Sequence, residues 1–232
     1  MLLDKPLVRR CYDLWYERLL ADADSVPAPR GTACIVELGS GLSEIKKLRP
    51  EIITSDVTPG LADMVIDGRA LPFADHSVRA IFLTHVFHHI PDVERFFREA
   101  SRVLVPGGVI SMVDETHTPF ARFFFDKVHP EPYDDKTALW SFPEGDSMLD
   151  SNQALSWIVF DRDRRRFERE FPELKIERRN FLPWFGYLMS GGVNLRTFFP
   201  RFLTKAVAAA DWILQPLDPV FAIHWHLTIR KV

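Results

Sequence analysis

Val36-Glu37-Leu38-Gly39-Ser40-Gly41-Leu42-Ser43 is the stretch whose reading decides the fold. The apolar run from Cys34 to Leu38 ends at glycine, the pattern of a buried strand that stops in a tight turn. Gly39 and Gly41 carry no Cβ, so the turn can be sharp and the backbone can approach a ligand closely. The dinucleotide fingerprint G-x-G-x-x-G seats a pyrophosphate on a helix N-terminus. Here Ser43 and Glu44 follow and the third glycine is missing. Glu37 would repel a pyrophosphate, but it can accept hydrogen bonds from a cationic or neutral ligand.

Working outward, the chain alternates. Apolar spacing at Leu7, Cys11, Leu14, Trp15 and Leu19 predicts an amphipathic helix over 7–23, broken by the Pro- and Gly-containing segment 26–31. After the glycine turn come a short helix near 43–48, a strand over 51–57 and a weak strand over 64–66. Residues 80–86 are nearly all apolar, as in a parallel strand buried on both faces. A helix over 92–104 carries the stripe Val93, Phe96, Phe97, Ala100, Val103 and Leu104, with Asp92 and Glu94 suited to its N-terminus. Pro106-Gly107-Gly108 ends that helix, and 109–113 reads as a fifth strand. Strands alternating with helices predict a doubly wound, mostly parallel sheet.

Beyond Glu115 the rhythm changes. A long helix is expected over 151–171, carrying the basic run Arg162 to Arg166. Interleaved Asp161, Asp163 and Glu168 make that run a solvated helix face rather than a phosphate or lipid site. Strands are expected over 174–179 and 221–231, the latter with Phe221, Ile223, Trp225, Leu227 and Ile229 on one face. Between them lies an aromatic insertion, 181–219, too long for a hairpin loop. It includes Phe198-Phe199-Pro200, and an amphipathic helix is expected on Phe202, Ala206, Ala209, Ala210, Ile213 and Leu214.

Composition limits the function classes. The 232 residues are 47% apolar and 26% charged, as in an ordinary globular protein. A net charge of -3 argues against nucleic acid as a partner. Two cysteines, Cys11 and Cys34, have no metal or disulfide spacing, which fits a reducing, cytoplasmic setting. No signal peptide or transmembrane segment is apparent.

Five motifs fall in order: Val-Glu-Leu-Gly-Ser-Gly (36–41), Ser55-Asp56, Asp-Gly-Arg-Ala-Leu-Pro-Phe (67–73), His-Val-Phe-His-His-Ile (85–90) and Glu-Ala-Ser-Arg-Val-Leu-Val-Pro-Gly-Gly (99–108). Together they resemble the class I S-adenosylmethionine-dependent methyltransferases, in particular the small-molecule branch with the ubiquinone/menaquinone enzymes. The resemblance covers about residues 32 to 115. It implies a Rossmann-like α/β sheet of about seven strands with a reversed last strand. The helical insertion then falls between the last two strands. It also implies that Glu37, Gly39, Ser40 and Gly41 line the methionine end of the cofactor. Asp56 and Val57 would stand at the ribose, Asp67 and Gly68 at the adenine, and Thr84 or His85 on the sulfonium side. The departures are Ser43 at the third glycine and the short helix after it.

Methyl transfer is an in-line displacement, so a protein mainly aligns the nucleophile and excludes water, with a general base where the acceptor is a hydroxyl. Candidate bases are His88, His117 and His129, beside His85, His89, Glu115 and Glu131. No spacing marks a dedicated metal site. Tyr12 and Tyr16 lie on the leading helix, which in relatives covers the cofactor pocket. The expected organisation is a single domain, 1–232: a helical cover (1–30), a cofactor half (32–115) and an acceptor half (116–232). The insertion reads as a lid, with a homodimer surface or a peripheral membrane contact as alternatives. The expected activity is methyl transfer to oxygen or carbon of a small molecule or a glycan or lipid precursor, giving S-adenosylhomocysteine. The region 125–132 resembles methyltransferases of bacterial surface polysaccharides, which favours a glycan. The rivals are a non-catalytic binding protein on this fold and a nicotinamide-dependent oxidoreductase, the latter opposed by Glu37.

Overall fold

The computed structural model describes residues 5–27, 33–41, 43–145, 150–192 and 201–232. Expectations for 28–31, Leu42 and Phe198-Phe199-Pro200 lie outside them. One sheet contains β1 (Cys34–Leu38), β2 (Ile53–Asp56), β3 (Met64–Val65), β4 (Val78–Thr84), β5 (Leu104–Glu115), β6 (Leu174–Phe181) and β7 (His224–Lys231). Their order is β3-β2-β1-β4-β5-β7-β6. β1 to β5 run parallel, and β7 is antiparallel to both β5 and β6. The expected doubly wound sheet with a reversed last strand is what the chain forms.

Side-chain alternation gives the sheet two different faces. Ile35, Ala80, Phe82 and Val109 pack under Tyr16, Leu19 and Ala23 of α1 (Pro6–Asp24). Val36, Leu38, Ile81 and Leu83 turn the other way, into a core with Phe96 and Phe97 of α2 (Val93–Val103). Asp92 caps α2 as expected, accepting from the Arg95 N–H at 3.0 Å. A further helix, α3 (Pro119–Lys127), starts at Thr118, whose hydroxyl accepts from the Ala121 N–H at 3.1 Å, with Pro119 in the first turn.

Three sequence expectations need correction. The helix expected near 43–48 is a single 3-10 turn, Ile45–Lys47, because Pro50 follows too soon for a helix to propagate. The helix expected over 151–171 is broken into α4 (Leu155–Trp157), a π-helical turn Ile158–Arg162 and α5 (Arg164–Glu170). Ile158, Val159 and Phe160 are all fully buried, and three consecutive core residues do not fit one face of a regular α-helix. Arg164 and Arg166 of the basic run do meet Glu168 and Glu170 at 2.7 and 2.9 Å, as a solvated face should.

The third correction concerns the insertion. It forms α6 (Phe185–Ser190), α7 (Thr204–Leu214) and α8 (Asp218–Phe221), so Phe221 ends a helix and β7 begins at His224. Much of the apolar set expected on this helix faces out: Phe202, just before α7, is 80% exposed and Ile213 65%, while Ala210 and Leu214 are half-buried. Val207 and Asp211 are buried instead. Asp211 sets that orientation, accepting from Arg10 of α1 at 2.6 Å and from the Gly186 N–H at 2.9 Å. A Cβ on Gly186 would lie 2.8 Å from the Asp211 carboxylate, so α6 and α7 meet only with glycine there. No helix among the described residues is long and apolar enough to cross a membrane.

A second buried carboxylate fixes α1 to the sheet. Asp22 accepts from Ser111 on β5 and Thr228 on β7, both at 2.7 Å, and lies 2.9 Å from Arg178 on β6 and 3.0 Å from His226 on β7. Burial opposes its charge, but these donors win and hold its pKa below the usual carboxylate range. Asp22→Ala removes the shared acceptor of all four partners and should destabilise the fold by about 3–5 kcal/mol, read as a lower urea midpoint.

Candidate active site

The carboxyl ends of β1, β4 and β5 and the start of β7 form one edge, where open α/β sheets bind ligands. Among the described residues, eight buried side-chain polar atoms lack a hydrogen-bond partner. Six of them belong to this edge: Glu37 Oε2, Thr84 Oγ1, His85 Nε2, Asp114 Oδ2, His224 Nδ1 and Glu115 Oε2, the last of which is ion-paired with His88. Buried polar atoms are normally satisfied, so their concentration here marks a place built for something else to bind.

Alternation turns Glu37 toward α1, a charged residue at a core position that is 1% exposed. Burial pushes its carboxyl up to about 7, against hydrogen bonds from Ser43 and Ser40 that favour the anion. The turn after it is stapled to β2: Ser40 donates its N–H to Ser55 O at 2.7 Å, and Gly41 donates to Asp56 Oδ2 at 3.0 Å. Gly39 has φ of 60°, and a Cβ there would lie 2.5 Å from Val86 Cγ2. Only glycine lets the turn lie against the chain leaving β4.

The other sequence-derived cofactor residues divide into two groups. Asp56 ends β2 with its second oxygen accepting from the Thr58 N–H at 2.8 Å, and Val57 is exposed. Asp67 and Gly68 lie just past β3, where Asp67 is gripped by the Arg69 guanidinium at 2.7 Å and held below its ordinary pKa. Thr84 and His85 stand instead at the end of β4, beside Glu115. His85 has φ of 56°, costly for a residue with a Cβ, while its N–H donates to Val113 O at 2.9 Å.

That strained residue belongs to a buried histidine–carboxylate network. Glu115 Oε1 receives the His85 Nδ1 hydrogen bond at 2.9 Å, and Glu115 Oε2 stands 2.5 Å from His88 Nδ1. His88 Nδ1 also bonds Asp114 Oδ1 at 2.5 Å. Burial works against a charge on His88, yet the two carboxylates hold its proton well above the usual range. Burial and the Glu115 charge push Asp114 up. Glu115, despite burial, is held well down by His88 and His85. The network thus holds a proton at His88 Nδ1 between two carboxylates, with Glu115 held toward its ionised form and Asp114 pushed toward its protonated one.

His224 is the residue that sequence reasoning missed. Strand alternation alone makes it the polar neighbour of Trp225, yet β7 places it opposite Glu115, with its ring 4.5 Å from that of His85. Trp15 of α1 and Tyr187 of α6 pack on both rings, which closes the edge with aromatic walls. His117 lies elsewhere, stacked on Trp157 at 3.7 Å and bonded to the Tyr133 hydroxyl at 2.6 Å. Burial and Arg122 push it down to about 4. His129 packs on Phe124 and Phe125 and accepts from the Glu131 N–H at 3.4 Å.

The comparisons agree with this geometry. Residues 43–112 match a family model described as a methyltransferase domain. A putative S-adenosylmethionine-dependent methyltransferase from Listeria monocytogenes aligns over 97% of this chain and 99% of its own, at 8% identity and a TM-score of 0.55. One from Mesorhizobium loti aligns over 95% and 100%, at 14% identity and a TM-score of 0.53. The geranyl diphosphate C-methyltransferase of Streptomyces coelicolor, solved with Mg2+, geranyl diphosphate and S-adenosylhomocysteine, aligns over 97% and 78%, at 14% identity and a TM-score of 0.54. The fold is that of the class I S-adenosylmethionine-dependent methyltransferases, and the matched residues carry a methyltransferase domain.

Glu37 makes stability depend on pH in a defined direction. Its folded pKa of about 7 exceeds the ordinary 4.5, so the folded chain binds more protons than the unfolded chain between those values. Stability therefore falls as pH rises through that window, by on the order of 3 kcal/mol. In Glu37→Gln this component should vanish, so that the variant is less affected than the parent when urea midpoints at pH 5 and pH 8 are compared.

Proposed function

We propose that this chain methylates a hydroxyl of a small-molecule or lipid-linked glycan acceptor, with His85 as the general base. The observation that carries this reading is the His85–Glu115 pair. Nδ1 donates to a buried carboxylate, which fixes the tautomer and leaves the Nε2 lone pair buried and unpartnered between Trp15, Tyr187 and His224. A base so oriented can take a hydroxyl proton at Nε2 while Glu115 offsets the charge that forms. His88 is the weaker candidate, because its proton is already held between two carboxylates.

Bound S-adenosylmethionine supplies an electrophilic methyl on a sulfonium. The unpartnered Glu37 Oε2 fits the ammonium of its methionine end, the Gly39–Gly41 turn gives that end room, and Asp56 keeps lone pairs for ribose hydroxyls. Trp15, Tyr187 and α6 exclude water from the base. The outward face of α7, where Trp212 is 77% exposed beside Phe202 and Ile213, supports an acceptor presented on an apolar carrier.

His85→Asn is the informative variant, because asparagine tolerates positive φ and keeps the backbone. With labelled S-adenosylmethionine and separate pools of phenols, sugars and lipid-linked glycans, the parent should label one hydroxyl-bearing pool. The variant should lose about 10²- to 10⁴-fold in turnover, while its S-adenosylhomocysteine affinity is unchanged. Equal turnover in the two removes His85 as the base. Affinity for S-adenosylhomocysteine should rise as pH increases from 6 to 8 in the parent, because the anionic Glu37 is the form that binds an ammonium. Glu37→Gln should bind more weakly and show no such rise by calorimetry. Asp56→Ala should weaken the same binding by about 1–3 kcal/mol.

A further inference from the structure

We infer that His88, His89 and Glu131 form a site for one divalent transition-metal ion of the zinc type, on the acceptor side of the sheet edge. The three residues offer ligand atoms within 4.8 Å of one another. Glu131 Oε2 lies 3.7 Å from His88 Nε2 and 3.5 Å from His89 Nε2. Those separations are too long for hydrogen bonds, which for charged partners fall near 2.7–2.9 Å. They are close to the spacing of two ligands on one ion, since bonds of about 2.0–2.1 Å at a tetrahedral angle set donors about 3.3 Å apart. The other histidine–carboxylate groupings at this edge behave differently. His85 to Glu115 at 2.9 Å and His88 Nδ1 to Asp114 at 2.5 Å are hydrogen bonds and leave no room for an ion.

The far sides of both rings are fixed as ligand histidines require. His88 donates Nδ1–H to Asp114, and His89 donates Nδ1–H to the Asp150 backbone carbonyl at 3.3 Å. A carbonyl can only accept, so Nδ1 of His89 carries the proton. In the neutral ring, Nε2 of His89 then points a lone pair at a carboxylate oxygen, an arrangement that repels unless a cation lies between them. His88 is 2% exposed, and its Nδ1, not its Nε2, carries the hydrogen bond to Asp114. Glu131 is held in place by Gln153 Nε2 and by Ser151 Oγ at 3.4 Å.

Two imidazoles and one carboxylate suit Zn2+, Fe2+ or Co2+ better than Mg2+, which prefers an oxygen shell. Three protein ligands leave at least one coordination position for water or an oxygen of a bound molecule. Because Glu115 touches both His88 and His85, such an ion would stand two residues, His88 and Glu115, away from the proposed base. The site itself is read from geometry alone and stands whether or not His85 is that base.

The test uses the full chain after chelator treatment and dialysis. Calorimetry and metal analysis should find one Zn2+ per chain, and Co2+ should give visible d–d bands of low-symmetry nitrogen and oxygen ligation, with Mg2+ failing to compete. His89→Ala and Glu131→Gln should each lose more than the roughly 10- to 100-fold that outer-shell partners are worth, while His117→Gln binds as the parent does. Retained S-adenosylhomocysteine binding identifies the variants as folded. Absence of stoichiometric Zn2+ or Co2+ binding by the parent overturns the inference, as does unchanged affinity in folded His89→Ala and Glu131→Gln.

Discussion

One carboxylate at the end of β5 organises the edge of this sheet. Glu115 meets His85 with one oxygen and His88 with the other, and so couples two histidines that leave β4 in different directions. A desolvated anion is tolerated at this depth because two imidazole donors stand against it. The strain at His85 follows from the same requirement. Its backbone takes a positive φ, and the Val113 carbonyl locks that conformation through the His85 N–H. Edge geometry thus depends on how β4 and β5 are paired, and their five parallel partners from Ala80–Val109 to Thr84–Val113 set it.

Around that edge the fold is economical on one side and built up on the other. The turn from β1 to β2 has almost no helix, so that face above Glu37 is covered mainly by α1, with Ile45 of the 3-10 turn beside it. The helix is held by two buried carboxylates rather than by apolar packing only: Asp22 toward the sheet and Asp211 toward α1 from the insertion. Each carboxylate reaches residues from distant parts of the chain, so each specifies how separate elements meet. Apolar contact would allow small slides, whereas a buried carboxylate with several donors accepts only one arrangement.

Most of the fold was legible because its signals are local. Runs buried on both faces identify parallel strands, Gly39 and Gly41 mark the turn, and Asp92 marks the start of α2. Glu37 before the turn and the motifs after it carry the resemblance from which the cofactor is expected. What stayed hidden depends on partners far away in sequence. Periodicity shows that α7 has an apolar side but not that Asp211 turns the opposite side inward. Three apolar residues at 158–160 gave no sign that the helix widens there. His224 read as one polar position of an alternating strand, and only pairing with β5 places it by His85 and Glu115. The convergence of His88, His89 and Glu131 joins a turn to a proline-bounded loop, and no local spacing rule reports such a meeting.

The strand order also has a kinetic meaning. β6 is hydrogen-bonded in the sheet to β7 alone, although β7 comes some forty residues later, so β6 has no sheet partner until β7 slots in between it and β5. Inserting β7 closes the largest loops in the molecule, delivers His224 to the edge and brings Thr228 to Asp22 across 206 positions. Loop-closure entropy makes that step late. β1, β2 and β4 can pair early, while the edge that joins Glu115 to His224 is completed in a single final event. A chain stalled before it would carry a formed glycine turn beside a sheet edge that still lacks His224.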